Sequence, residues 1–179
     1  MGIVAGGAAL TGAAPAAADP GPLQPLVDAA AERLAVAEPV AANKWVTKGS
    51  IEDPVRVDQV LAAVEADANA RSIDGQRVRR VFADQIAATE GIEYTRFGQW
   101  KLDPAAAPVA APELAASRGV IDGLNRTIVE QLASNWPVLN SPECPASVAD
   151  AIGAVSTARS LDPLYRQALT FVTRNYCTP

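Results

Sequence analysis

The chain has 179 residues, of which 49% are hydrophobic, enough for one domain with an apolar core. It contains no histidine, and so lacks the usual general base and the commonest metal ligand. The net charge of −5, from 15 Lys+Arg and 20 Asp+Glu, argues against a nucleic-acid binder, because such proteins present an extended basic surface.

Residues 1–18 contain no charged side chain and end in three alanines before Asp19. This composition is typical of the apolar and cleavage regions of an export signal, although the basic start of such a signal is missing. We therefore predict an export-signal remnant over 1–18, a mature domain over 19–179, and a secreted or periplasmic location. A disordered Ala/Gly-rich tail is the alternative interpretation. No apolar run reaches the roughly 20 residues that a membrane-spanning helix needs, so we expect no membrane partner.

Helical periodicity begins after this leader. Apolar residues at 26, 30, 34 and 37 predict a first helix from Leu23 to Lys48. Pro39 should bend this helix without ending it, because the apolar pattern resumes beyond it. The pair Asp53-Pro54 is an N-cap followed by proline at the first helical position, so a second helix is predicted up to Arg71.

Four further helices are predicted in the rest of the chain. Asp74 can cap the third. The proline-broken segment 103–112 should be a non-helical linker before the fourth. The four predicted helices are Gly75–Gln99, Glu113–Trp136, Ala146–Arg159 and Asp162–Tyr176. Because no alternating pattern is long enough for a strand, we predict an all-α fold of six helices in a single domain.

Cys144 and Cys177 are the two cysteines of the chain. An even count in an exported protein predicts one intrachain disulfide between them. Closing a loop of this size would stabilise the fold by about 3–4 kcal/mol in the chain-entropy account. Two buried free thiols are the alternative interpretation.

Several polar or charged residues lie at helical spacings from one another. Thr89 and Glu93, four residues apart, share a face of the third helix with apolar neighbours, where a carboxylate must be paired or protonated. Arg33 and Lys44, eleven residues apart, share a face of the first helix. Singly, each is more often a solvated charge or a helix residue bonded to its own backbone. The same holds for the charged residues that open the second and fourth helices: Asp53, Arg56 and Arg118. These patterns alone support only an exported helical domain able to gather cations around an anion.

Taken together, four segments resemble the exported subclass of the AroQ-type chorismate mutases: AAERLAVAEPVAANKW, SIEDPVRV, QIAATEGIEYTRFGQWKL and ASRGVIDGLN. The resemblance runs from about residue 26 to 177 and is most specific around 89–94. It implies an all-helical enzyme, typically a homodimer, that converts the small molecule chorismate into prephenate. This pericyclic rearrangement needs neither metal nor cofactor, and it requires no nucleophile or general base.

The resemblance assigns the two carboxylates of chorismate to arginine side chains. Arg33, Arg56 and Arg118 would clamp them, because a planar guanidinium can bind a carboxylate through two parallel hydrogen bonds. Thr89 would donate a hydroxyl hydrogen bond to a carboxylate. The resemblance also implies a pocket built within one subunit, in which Arg118 replaces an arginine that the intracellular enzymes borrow from a partner.

The remaining implied site residues face the ether oxygen, where negative charge grows as the C–O bond breaks. Lys44 would place its ammonium there, with Glu93 opposite, and Asp53 would orient Lys44 or the substrate hydroxyl. An ionised Glu93 would oppose the developing charge. We therefore hypothesise that Glu93 is protonated when it acts, because burial and the dianionic substrate raise its pKa against the pull of Lys44. The predicted catalytic residues are Arg33, Lys44, Arg56, Glu93 and Arg118.

Two positions depart from the family pattern. Val57 follows Arg56, where intracellular members have a glutamate, and Val60 stands where related exported enzymes can place an amide, with Gln59 beside it. Either the substrate hydroxyl is held differently or the enzyme is weaker. Two other functions stay open at this point: a lyase of the same fold that releases pyruvate from isochorismate, and a non-catalytic helical binding module.

Overall fold

The computed structural model describes residues 21–177, and the predicted export-signal segment 1–18 lies outside the described residues. Within 21–177 the regular secondary structure is helical, with no strand. The α-helices are α1 Gln24–Ala35, α2 Ala37–Thr47, α3 Pro54–Ala70, α4 Gly75–Leu102, α5 Leu114–Ser134, α6 Trp136–Leu139, α7 Cys144–Ala158 and α8 Pro163–Val172. The predicted all-α fold is confirmed. In this described part of the chain, no helix has the length and apolar character needed to cross a membrane.

The predicted first helix is divided in two at Val36. Pro39 stands in the first turn of α2, and a proline ring conflicts with the carbonyl four residues earlier, here that of Ala35. Val36 keeps helical dihedral angles (φ −68°, ψ −13°), and its carbonyl still accepts from the N–H of Val40 at 3.3 Å. With the single turn Trp136–Leu139, this division raises the number of α-helices in 21–177 from the six expected to eight.

The predicted start signals of α3 and α4 form in the structure. The Asp53 carboxylate accepts from the N–H of Arg56 at 3.1 Å, and Pro54 is the first residue of α3. The Asp74 carboxylate accepts from the N–H of Arg77 at 3.1 Å. Each cap satisfies a backbone donor that a helix start leaves without an intrahelical partner. The linker 103–112 contains only a short 3-10 turn, Pro104–Ala106.

The core lies around α1 and α4. Helix α1 packs against α4, α5, α7 and α8, and its apolar side chains are almost fully buried, Leu26, Val27, Ala30 and Leu34 among them. Helix α4, of 28 residues, spans about 42 Å and packs against α2, α3 and α8. Helices α2 and α3 are thereby held beside α4 and α5, where the candidate site lies.

The predicted disulfide is also confirmed, since Cys144 at the start of α7 is bonded to Cys177 with an S–S distance of 2.10 Å. The bond joins residues 33 positions apart and excludes both sulfurs as nucleophiles. Other contacts hold the same C-terminal segment. The Arg77 guanidinium donates to the backbone oxygen of Tyr176, and the Asp84 carboxylate accepts from Asn175 at 2.6 Å. Tyr176 is consequently fully buried.

Candidate active site

Helices α2, α3, α4 and α5 and the loop 48–53 enclose a cavity of about 460 Å³, to which α1 contributes Arg33. This volume falls in the range of small-molecule sites, roughly 300–1,000 Å³. All seven residues that the sequence analysis singled out line it: Arg33, Lys44, Asp53, Arg56, Thr89, Glu93 and Arg118. Apolar residues complete the walls, including Val57 and Val60, the two positions that depart from the family pattern. Cations from four helices therefore converge on one hollow.

Arg33 is the most buried cation of the cavity, with 4% of its surface exposed. Its Nε donates to Asn125 Oδ1 at 2.8 Å and its Nη1 to Thr89 Oγ1 at 3.3 Å. The Thr89 hydroxyl can accept because its own proton goes to the Gln85 carbonyl at 2.8 Å. Burial, and secondarily the positive charge of Arg56, lowers the pKa of Arg33 to about 10, so the guanidinium stays charged at neutral pH.

Lys44 and Glu93 form a buried ion pair on the α2–α4 side of the cavity. Lys44 Nζ lies 2.9 Å from Glu93 Oε2, and the side chains are 13% and 3% exposed. The same ammonium donates to the Ile51 carbonyl at 2.6 Å. Burial raises the pKa of Glu93, the hydrogen bond from Lys44 opposes this, and the nearby Glu90 carboxylate adds to the rise. The pair therefore places a held cation beside an acid that protonates more readily than an ordinary glutamate.

Arg56 and Arg118 lie at the more exposed rim, and each is paired with a carboxylate. Arg56 Nη2 bonds to Asp122 Oδ1, and Arg118 Nη2 lies 2.8 Å from Asp53 Oδ2. The Arg118 side chain is 43% exposed. Asp53 thus contacts Arg118 and the α3 backbone in the structure, whereas the resemblance implied contact with Lys44 or the substrate hydroxyl.

Sequence reasoning missed two partners of the arginines, Asp122 and Asn125. Both lie on α5, four and seven residues beyond Arg118, a spacing that puts all three on one helical face. That spacing was readable from the sequence, but the arginines they contact come from α1 and α3. Glu52 and Glu90 also line the cavity. The pKa of Glu90 is raised by burial and by the charge of Glu52.

Comparison with known proteins shows to which family the chain belongs. A family model described as chorismate mutase type II matches residues 24–94. The chain is 55% identical over 159 residues to a secreted chorismate mutase of Mycolicibacterium smegmatis, covering 89% of this chain and 88% of that protein. It is 52% identical over 155 residues to one of Mycobacterium tuberculosis, covering 87% and 78%. The chain belongs to the type II chorismate mutase family.

Solved structures agree with this family assignment. A chorismate mutase from Burkholderia phymatum matches with a TM-score of 0.83 and 31% identity, over 88% of this chain and 97% of that one. A chorismate mutase from Burkholderia thailandensis matches with a TM-score of 0.82 and 34% sequence identity, over 87% of this chain and 99% of that one. A secreted chorismate mutase from Yersinia pestis matches with a TM-score of 0.69 and 22% identity, over 84% of this chain and 94% of that one. At this identity the match supports the fold alone. The resemblance stated from the sequence is thereby confirmed.

Proposed function

We propose that this chain binds chorismate in the cavity between α2, α3, α4 and α5 and rearranges it to prephenate there. The observation that carries this proposal is the convergence of Arg33, Lys44, Arg56 and Arg118 on one apolar-walled hollow that also contains the buried Glu93. The test is direct: prephenate formation is followed with purified protein, and isochorismate is supplied in parallel. Turnover of chorismate supports the proposal. Pyruvate release from isochorismate alone, or no turnover of either substrate, would contradict it.

The mechanism first requires that both carboxylates of chorismate are bound. Arg33 is charged and buried, and its hydrogen-bond acceptors within residues 21–177 are both neutral, so its remaining N–H groups can bind one carboxylate of the substrate. Arg56 and Arg118, paired with Asp122 and Asp53 at the rim, exchange those partners for the substrate as it enters. Holding both carboxylates keeps the reacting atoms close, which removes an entropic part of the barrier.

The mechanism also requires that the negative charge developing on the ether oxygen is stabilised. Lys44, already held by the Ile51 carbonyl, supplies a positive charge where negative charge develops in the transition state. In the structure Glu93 accepts from Lys44, which suits an ionised carboxylate. A dianion bound beside Glu93 draws Lys44 toward its own oxygens and raises the pKa of Glu93 further. Glu93 then donates its proton to the ether oxygen as a hydrogen bond.

Replacing Glu93 with glutamine is expected to remove a decline of kcat as the pH rises through the raised pKa of Glu93. Because burial raises the pKa of Glu93, the neutral acid persists above the pH at which an ordinary glutamate ionises. As the pH rises through that pKa, the acid loses its proton and its charge opposes the reaction, so kcat falls. Glutamine remains a neutral donor throughout. The measurement is the pH profile of kcat, which reports ionisations in the substrate complex.

A matched control for this experiment is Glu130→Gln on the exposed face of α5, which should keep the wild-type decline. Identical pH profiles for Glu93→Gln and the wild type would show that Glu93 is not the titrating group.

We also propose that the mature protein, residues 19–179, is exported and works as a homodimer with a complete site in each subunit. The relatives from Mycolicibacterium smegmatis and Mycobacterium tuberculosis are named secreted chorismate mutases, and a disulfide suits an oxidising compartment. The seven site residues line one cavity of a single chain, which supports a complete site in each subunit. Analytical ultracentrifugation should give twice the mass of the mature chain, and specific activity should stay constant on dilution to the monomer. A monomeric mass at all concentrations would contradict the homodimer.

A further inference from the structure

The four cations of the cavity differ in what holds them. Lys44, Arg56 and Arg118 each contact a carboxylate, that of Glu93, Asp122 and Asp53 respectively. Arg33 differs, because both of its hydrogen-bond acceptors in the described part of the chain are neutral, Asn125 and Thr89. A buried arginine without a hydrogen-bonded carboxylate is costly to the fold, because its charge is desolvated and here is offset only through space by the Asp122 carboxylate that Arg56 holds.

Asn125 is placed to orient Arg33 from outside the cavity. It is 6% exposed and is absent from the lining of this cavity, although it lines the adjoining cavity between α3 and α5. Its hydrogen bond to Arg33 is therefore its link to the site. Its Oδ1 accepts from Nε, the single N–H on the stem side of the guanidinium, at 2.8 Å. An acceptor at this position restricts the rotation of the planar group, while Nη1 on the other side of it donates to Thr89 on α4. The Phe82 ring, with its centroid 6.0 Å from Arg33 Cζ, lies beside the guanidinium as well.

We propose that Asn125 is a positioning residue for the reaction, whose neutral oxygen orients the Arg33 guanidinium while leaving its positive charge to a substrate carboxylate. An aspartate at this position would fit the same space and accept the same hydrogen bond. It would also neutralise Arg33 and compete with the substrate for it. The amide is thus the side chain that combines orientation with an undiminished charge. This inference rests on the proposed function, because it takes the Arg33 ligand to be a carboxylate of chorismate.

The test separates charge from orientation with two variants. Asn125→Asp keeps the acceptor and adds the competing charge, so KM for chorismate should rise roughly tenfold to a hundredfold. Its kcat should stay within about threefold, since a carboxylate that keeps its charge during the reaction contributes uniform binding. Asn125→Ala removes the acceptor and leaves Nε unpaired, so kcat itself should fall by roughly tenfold as the guanidinium loses its orientation.

Gln131→Glu on α5 is the matched control for Asn125→Asp. It adds the same charge to the same helix at a residue that lines neither this cavity nor the adjoining one between α3 and α5, and KM should not change. Circular dichroism and thermal unfolding establish which variants are folded, and either Asn125 variant tests the proposal by itself. A wild-type KM for Asn125→Asp, or a wild-type kcat for Asn125→Ala, would overturn the inference. If the wild type itself fails to convert chorismate, the proposed function is at fault instead.

Discussion

Replacing Arg33 with alanine should lower kcat/KM for chorismate by roughly a hundredfold to a thousandfold while the helical fold persists. Arg33 is 4% exposed, and within residues 21–177 its hydrogen-bond acceptors are Asn125 and Thr89, so it lacks the direct carboxylate partner that Arg56 has in Asp122. Losing one partner of a buried charged pair costs about 3–4 kcal/mol, and each 1.4 kcal/mol corresponds to a factor of ten. The measurement is the rate of prephenate formation, with far-UV circular dichroism as the check on folding.

Two comparisons make this result specific. Arg166→Ala on α8 removes an exposed arginine that bonds to the Leu161 carbonyl, and it should leave kcat/KM unchanged. Arg118→Ala should cost less than Arg33→Ala, because the Arg118 side chain is 43% exposed and its interactions are screened by water. An Arg33→Ala enzyme that keeps a tenth or more of the wild-type kcat/KM would show that Arg33 does not bind a substrate carboxylate.

Replacing Cys144 and Cys177 together with serine should lower the free energy of unfolding by about 3–4 kcal/mol. The bond closes a loop between residues 33 positions apart, and removing it returns conformational entropy to the unfolded chain. Since whole domains are stable by about 5–15 kcal/mol, this is a large fraction of the total. The expected shift in melting temperature is roughly 10 °C downward for a domain of this size. Urea and thermal unfolding measure the two quantities.

The control for the disulfide prediction is the wild type unfolded in the presence of a reductant, whose stability should fall to that of the double-serine variant. The variant itself should not respond to the reductant. The C-terminal segment has other contacts, with Arg77 holding the Tyr176 backbone and Asp84 holding Arg174 and Asn175. A loss below about 1 kcal/mol would mean that these contacts already restrain the segment and that the chain-entropy account fails here.

Local chemistry made the helix starts predictable. Asp53 and Asp74 each bond the backbone N–H three residues ahead, as the sequence implied, because a capping bond depends only on neighbouring residues. Helix ends were less well predicted. The last helix was expected to continue to Tyr176 but ends at Val172, beyond which the segment is held by the disulfide and by bonds to α4. Those partners are distant in sequence, so no local pattern could indicate them.

The features of the candidate site also fall into those that the sequence predicted and those that it could not predict. The residue types in it and their helical spacing were present in the sequence, and the family resemblance indicated which of the charged residues to combine. Lys44 and Glu93 were expected to face each other and do, but other partners were not predictable. Lys44 also donates to the backbone carbonyl of Ile51, and Asp53 lies on Arg118 where the resemblance had implied Lys44 or the substrate hydroxyl. The contact between Asp53 and Arg118 depends on how α3 and α5 are placed against each other.

The sequence by itself determined the all-helical fold, the capped starts of α3 and α4, and the membership of a family that rearranges chorismate. Periodicity, caps and motifs act over a few residues along the chain, and such local preferences can be read without coordinates. The neutral acceptors of Arg33, and the carboxylates that Arg56 and Arg118 contact, became visible in the folded chain and could not be read from the sequence. The charge available to a substrate depends on which side-chain atoms of different helices come within hydrogen-bonding distance, and packing sets those distances.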